Sequence, residues 1–256
     1  MAEFVETALE DTTNGKIARI TIHNESKLNT LNSRVIRELT DAFSDLDKNK
    51  EIGVVILTGA GDKAFIGGAD ISEMATLDPT SARHFITNMH HLCHKARYLQ
   101  VPVIARVNGY ALGAGMELAA SCDMIVASKS ANFGMPEVRV GIPSVIDAAL
   151  LPRILGVGLA RDLVLTGRIL TATEARDAGL VQRLTETEKL DTEITNVINE
   201  ILAGGRDAMR IQKQLCNDWE NNSLSEGINL GIEAFASAYE GPEPRSMMDT
   251  FLNRQR

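Results

Sequence analysis

The run Val54-Val55-Ile56-Leu57, set between Gly53 and Gly59, is apolar at every position. A strand without polar alternation has to be covered on both faces, which places it inside a layered α/β domain. Its surroundings agree. Upstream, Ile17 to Ile22 alternates so that Ala18, Ile20 and Ile22 share one face, the two-residue period of a half-buried strand. After a loop expected from His23 to Thr30, residues Val35, Ile36, Leu39, Ala42, Phe43 and Leu46 recur at helical spacing, with Asn32 or Ser33 placed to cap the first turn. The three segments make a β-α-β unit.

The rhythm continues with a helix expected over Ser81 to Leu99, a strand over Val103 to Val107, a short helix over Ala114 to Ser121 and a strand over Met124 to Ala127. Such alternation predicts largely parallel strands, with ligand sites in the loops at their C-terminal ends. From Leu150 onward the chain reads mostly helical. Thr171-Ala172-Thr173-Glu174 forms a capping box and Gly179 stands where a C′ glycine ends that helix. Arg206 to Trp219 and Leu224 to Tyr239 carry apolar residues at three- and four-residue spacing, and Gly241-Pro242-Glu243-Pro244 interrupts them.

Charge and composition exclude several classes of function. In 256 residues, 26 Lys and Arg against 34 Asp and Glu give a net charge of −8, so the chain gains little by displacing counterions from a phosphate backbone, and no nucleic-acid partner is expected. Cys93, Cys122 and Cys216 are odd in number and scattered, as in reduced proteins. The acidic start MAEFVETALED lacks a basic region followed by an apolar run, and no apolar stretch reaches the roughly 18 residues of a membrane span. A cytoplasmic protein with no membrane partner is the expectation.

Four groups of residues bear on chemistry. Gly59-Ala60-Gly61-Asp62-Lys63-Ala64 mimics a dinucleotide fingerprint, but no helical period comes after it, so a strand-ending turn is expected. His90, His91 and His94 with Cys93 have a spacing that permits a metal, but with no third ligand indicated they read as a solvated helix face, and no metal is expected. Ser144 with Asp147 comes after Gly141-Ile142-Pro143 without a nucleophile elbow around it, and Ser144 reads as a structural turn or helix-start residue. The fourth group joins two glycine-rich segments, Ala64 to Ile71 and Asn108 to Glu117, with Glu117 and Glu137. Both segments come after strands, so two peptide N–H groups from separate loops can converge on one oxygen, with the dipole of the helix starting at the second loop adding positive potential. Glu117, in a short apolar helix, is either paired or useful.

Asn24 to Asn32, Ala64 to Met74, Val107 to Asp123 and Phe133-Gly134-Met135-Pro136-Glu137 resemble, in order and spacing, the successive signatures of the enoyl-CoA hydratase/isomerase (crotonase) family. The resemblance continues through Leu163 to Gly167, Ala175 to Val181 and Phe251 to Arg254, and so covers nearly the whole chain.

The resemblance implies an α/β fold of the crotonase (ClpP-like) type, a spiral of β-β-α units with a C-terminal helical region. The core is expected over residues 1–195 and a helical trimerisation or lid region over 196–256. The implied partner is an acyl-CoA thioester and the implied assembly a homotrimer or dimer of trimers, with no cofactor, since coenzyme A arrives as part of the substrate. The implied reaction is reversible syn addition of water across the 2,3 double bond of a 2-enoyl-CoA. By position, the backbone N–H groups of Ala69 and Ala114 form the oxyanion hole. Glu117 and Glu137 are the acids, Glu137 chiefly delivering a proton to the α-carbon and Glu117 activating water. Lys27, Leu28, Ala64, Gly68, Asp70, Ile71, Gly113 and Arg254 line the coenzyme A and substrate site, with Lys27 and Arg254 meeting phosphates.

The chain departs from the family after Glu137. Where many hydratases have a Pro-Gly-x-Gly-Gly segment, it runs Gly141-Ile142-Pro143-Ser144-Val145-Ile146-Asp147. That change leaves room for thioester hydrolysis or double-bond isomerisation on the same fold, and a non-catalytic assembly subunit is the alternative from another class. An aromatic content of 4% predicts a pocket lined by aliphatic side chains and Met.

Overall fold

A computed structural model describes residues 4–254, the side chain of Arg254 excepted. The first half of the chain contributes β1 (Val5–Thr12), β2 (Gly15–Ile22), α1 (Ser33–Lys48), β3 (Ile52–Gly59), β4 (Ala64–Ile66), α2 (Ile71–Met74), α3 (Pro79–Arg97), β5 (Val103–Val107), β6 (Tyr110–Leu112) and α4 (Ala114–Ala120). It continues with β7 (Met124–Ser128), β8 (Asn132–Gly134), α5 (Leu151–Thr166), β9 (Ile169–Thr171), α6 (Ala172–Asp177), β10 (Arg183–Thr185), α7 (Leu190–Leu202), α8 (Arg206–Asn221), α9 (Leu224–Ala238) and α10 (Glu243–Arg254).

The strands form two sheets, one in the order β1-β2-β3-β5-β7-β10 and the other β4-β6-β8-β9. The chain visits them alternately. β3, β5 and β7 each lie in the large sheet, and the next strand after each of them, β4, β6 or β8, lies in the small one before the chain turns into helix or loop. This is a spiral of β-β-α turns. Pairing is parallel within it and antiparallel only at the two ends, β1 with β2 and β8 with β9.

The apolar run of β3 is covered on both faces. Val55 and Leu57 join the main core with α1 and α3, whereas Val54 and Ile56 join a second cluster with Ile104, Val126 and α7. On β2, Ala18, Ile20 and Ile22 share the main-core face as their alternation predicts. Asn32 is the cap of α1, its side chain accepting from the Arg34 and Val35 N–H groups at 3.0 and 2.9 Å.

Several features differ from the sequence expectations. β1 is largely exposed and is held by its hairpin with β2, so it leaves no apolar signature. The loop from His23 to Thr30 contains a 3-10 turn, Glu25–Lys27, and then Leu28 and Asn29 at φ of +53° and +55°. The buried Asn29 side chain compensates for that backbone, accepting from the Asn24 N–H and donating to the carbonyls of Ala60 and Ala64. β9 and β10 interrupt the segment read as helical, each three residues long and without room to display a period. After the Gly241-Pro242 break the chain resumes as α10, with Pro244 in its first turn, where a missing N–H is harmless. The division expected at 195/196 falls inside α7, and Ile194, Val197, Ile198 and Ile201 on both sides of it pack against the large sheet.

Candidate active site

Three parallel strands of the small sheet build the site. β6 lies between β4 and β8, pairing Ile66 with Ala111 and Leu112 with Gly134, so all three C-terminal ends open on the same side. Beyond these ends the chain places Gly67-Gly68-Ala69 after β4, Gly113-Ala114 and then Glu117 after β6, and Glu137 after β8. The two glycine segments and two glutamates singled out in the sequence therefore converge.

Both expected N–H donors are available. Leu31 bridges the Ala69 segment, donating to the Gly68 carbonyl at 2.9 Å and accepting from the Asp70 N–H at 2.8 Å. In such a bridge the N–H of the middle residue points to the other side, and among the described residues the Ala69 N–H has no acceptor. Ala114 is the first residue of α4, where a helix leaves its N–H unpaired, and it too has no acceptor among the described residues. Gly113 makes the turn between β6 and α4 at φ +51° and ψ −120°, a conformation open to glycine. A Cβ there would also collide with Glu137 Oε1.

Glu117 lies one turn into α4, 4% exposed, and its Oε1 accepts from the Ala148 N–H at 3.2 Å. Burial, with the neighbouring Glu137 carboxylate second and Asp147 a lesser contribution, pushes its carboxyl up to about 8. Glu137 opens a 3-10 turn, Glu137–Val140, and its Oε2 accepts from Ser144 Oγ at 2.8 Å. Ser144 is thus a partner of a candidate acid and not only the turn residue expected.

The segment that departs from the family pattern contributes more than Ser144. Ile146 sits at φ +42°, and a β-branched residue there is strained by about 1–3 kcal/mol. Asp147 is buried and bonds His90 Nδ1 at 2.9 Å. His90 is therefore tied to the site's border instead of belonging to a merely solvated face. His94 stacks on Tyr98 with ring centroids 4.4 Å apart, and among the described residues no group of three or more His, Cys, Asp or Glu side chains is arranged to hold a metal. The only hint of Asp147 and Ser144 in the sequence was two polar residues inside a stretch otherwise small or apolar.

The remaining expected residues divide by role. Asp70 caps α2, accepting from the N–H groups of Ser72 and Glu73, and pairs with Lys27 Nζ at 2.7 Å. The Lys27 ammonium, and then those two N–H groups, hold its carboxyl below the usual range. Lys27 is thereby committed to Asp70 while remaining half exposed, which fixes the loop beside Ala69. Leu28 and Ile71 are exposed apolar side chains flanking that ion pair, 40% and 59% accessible. Ala64 is buried with its carbonyl taken by Asn29, and Gly68, also buried, sits at φ +120°, a conformation open to glycine. Arg254 ends α10, and its side chain lies outside the described residues. At Gly59–Ala64 the chain makes a turn between β3 and β4, with no helix to receive a pyrophosphate. A cavity of about 590 Å³ under α8, lined by Asp123, Lys213 and Cys216 among others, shares no residue with the site.

Comparison with known proteins gives one answer. Residues 12–256 match the family model described as enoyl-CoA hydratase/isomerase. A short-chain-enoyl-CoA hydratase of Clostridium acetobutylicum is 35% identical over 243 residues, 94% of this chain and 93% of that one. A crotonyl-CoA hydratase of Syntrophomonas wolfei is 33% identical over 242 residues, with the same coverage. Among solved structures, an enoyl-CoA hydratase from Bacillus anthracis superposes with a TM-score of 0.93 at 29% identity, covering 98% of this chain and 96% of that one.

The raised Glu117 carboxyl makes stability depend on pH. Between the ordinary value of 4.5 and about 8, the folded chain keeps a proton on Glu117 that the unfolded chain has released. Stability therefore falls as pH rises through that window, by at most about 1.4 kcal/mol per pH unit. Glu117→Gln carries no such charge, so in urea unfolding its advantage over wild type is expected to be least near pH 5, to grow toward pH 8 and then to level off. A difference that stays constant over that range would show that Glu117 titrates normally.

Proposed function

The chain belongs to the enoyl-CoA hydratase/isomerase family, and from that premise we propose that Glu117 and Glu137 act as one acid–base pair under an oxyanion hole formed by Ala69 and Ala114. The enzyme is an enoyl-CoA hydratase, a lyase that converts a 2-enoyl-CoA thioester and water reversibly into a 3-hydroxyacyl-CoA. The observation that carries the assignment of residues is the convergence of two unspent N–H groups and two carboxyls at the ends of three adjacent strands.

Attack of water at C3 pushes electrons into the thioester carbonyl, whose oxygen takes up negative charge. Two fixed N–H donors favour that charge more than the neutral carbonyl, and each is worth about 3–4 kcal/mol to the transition state. Addition then needs a base for the water and an acid for the α-carbon, so the pair must hold one proton at the start. Burial, and after it the neighbouring Glu137 carboxylate, favour the protonated form of Glu117 in the free enzyme. A water held between the two carboxyls gives its proton to one of them while a proton is delivered to the α-carbon from the pair. Syn addition results, because the hydroxyl and the proton reach the same face of the double bond.

The pair and the hole account for the reaction without a further cofactor, coenzyme A being part of the substrate. Exposed apolar side chains on α9 and α10, among them Leu224 at 83%, Phe235 at 69% and Phe251 at 61%, support a homotrimer or dimer of trimers in which they are covered. No helix among the described residues is long and apolar enough to cross a membrane, and free Cys93, Cys122 and Cys216 suit a reducing compartment such as the cytoplasm.

With crotonyl-CoA, wild type is expected to bleach the absorbance of the conjugated thioester with a mass gain of one water, and Glu117→Gln and Glu137→Gln are each expected to lose about 10²–10⁴-fold in kcat. Release of free coenzyme A, or a shifted double bond with no mass gain, would identify hydrolysis or isomerisation instead. Ala114→Pro removes the N–H at a position where a helix tolerates proline, and is expected to cost about 10²–10³-fold in kcat with the fold retained. An unaffected rate would remove Ala114 from the oxyanion hole. Sedimentation equilibrium is expected to give three or six times the chain mass, and Phe235→Glu to reduce it, whereas a wild-type monomer would refute the assembly.

A further inference from the structure

Ser144 to Ala148 is a single stretch that touches both carboxyls, Ser144 Oγ on Glu137 and the Ala148 N–H on Glu117. Between those contacts lies Ile146 at φ +42°, a backbone conformation that persists only where surrounding contacts impose it. Asp147, the next residue, supplies such a contact. It is 8% exposed, its charge acts on Glu117, and among the described residues the side chain that hydrogen-bonds it is His90, in the middle of α3.

His90 makes no hydrogen bond to either candidate acid among the described residues, and its own side chain is 48% exposed. Among the described residues its hydrogen bond into the site is the one to Asp147. With Asp147 as a carboxylate, His90 Nδ1–H is the donor, and the bond fastens the stretch to a helix packed in the main core through Phe85, Met89, Leu92 and Cys93. The Asp147 charge acts on Glu117, and the imidazole N–H gives that buried carboxylate a hydrogen-bond partner.

We propose that His90 is a positioning residue for hydration, holding the strained strap Ser144–Ala148 through Asp147 and thereby setting the carboxyls of Glu117 and Glu137 together. The proposal rests on the reading of those two glutamates as the acid–base pair. It makes the strap an indirect support, with no contact between His90 and the reacting atoms, so its loss displaces the acids and leaves thioester binding intact. Turnover is affected and KM is not.

The test compares wild type, His90→Ala and His90→Asn on crotonyl-CoA, with Glu117→Gln and Glu137→Gln alongside and thermal unfolding of each. His90→Ala is expected to lower kcat by about 10- to 100-fold with KM changed less than about twofold. His90→Asn is expected to restore most of the loss, because its side-chain amide puts a donor close to where Nδ1 stands. If His90→Ala keeps the wild-type kcat while both glutamine variants are inactive, the strap fails and the acid pair stands, even if the unfolding temperature drops. An Asn variant as slow as the Ala variant would also overturn the hydrogen-bond role. Full turnover by the two glutamine variants would overturn the acid pair and this proposal with it.

Discussion

The register of β6 between β4 and β8 is the constraint on which the rest of the site depends. Three short parallel strands, each of three residues, fix the starting points of three loops, the outer two each one pairing distance from the middle one. Because the strands are parallel, the loops leave on one side. Glycine at 67, 68 and 113 then lets the backbone itself, rather than a side chain, face the open ground between them. A slip of one residue would turn Ala111 and Phe133 out of the core and carry Ala114 and Glu137 away from each other. The precision of two N–H groups and two carboxyls is thus inherited from main-chain pairing. Side-chain packing behind it, with Phe65, Phe133 and Met116 fully buried, keeps that pairing in place.

Much of this was legible in the sequence, for reasons that differ by residue. Val54 to Leu57 announced a doubly covered strand because nothing polar interrupts it, and Glu117 drew attention because a carboxylate among Ala, Met and Leu is costly unless it has work to do. The glycine segments were readable as places where backbone approaches a ligand. β4, β6 and β8 are not visible as strands, since three residues display no period, so the sequence suggests that the two glycine loops converge without showing which strands bring them and Glu137 together. β1 was invisible for the opposite reason: its hairpin partner holds an exposed strand that needs no apolar face. The partners of Ser144, Asp147 and His90 are not legible, because hydrogen bonds spanning 7 and 57 residues leave no trace in local spacing.

Energetically the site works against the fold. Glu117 is desolvated beside a second carboxyl, and it remains in place because it can stay protonated up to about pH 8 and because one backbone N–H meets its oxygen. Ile146 adds local strain, and among the described residues the Ala69 and Ala114 N–H groups have no acceptor of the kind a structural loop would supply. Each is a cost of order 1–3 kcal/mol in a domain whose net stability is typically about 5–15 kcal/mol. The main core, running from α1 through both sheets to α5 and α6, offsets them. The expense lies at the strand ends and along the strap, away from that core.

Electrostatics explains why the departure after Glu137 is compatible with hydration. A glycine-rich segment in that place would offer backbone donors and no charge. Here the same stretch offers the Ala148 N–H, the Ser144 hydroxyl and one additional carboxylate, Asp147. A hydroxyl on Glu137 and an N–H on Glu117 stabilise whichever of the two is ionised, so they do not by themselves choose the proton's location. Burial and the nearby carboxylates do, and both act on Glu117 in the direction that keeps it protonated. The segment therefore supplies a donor for each carboxyl and a charge that acts on Glu117, using side chains where glycine would have used backbone.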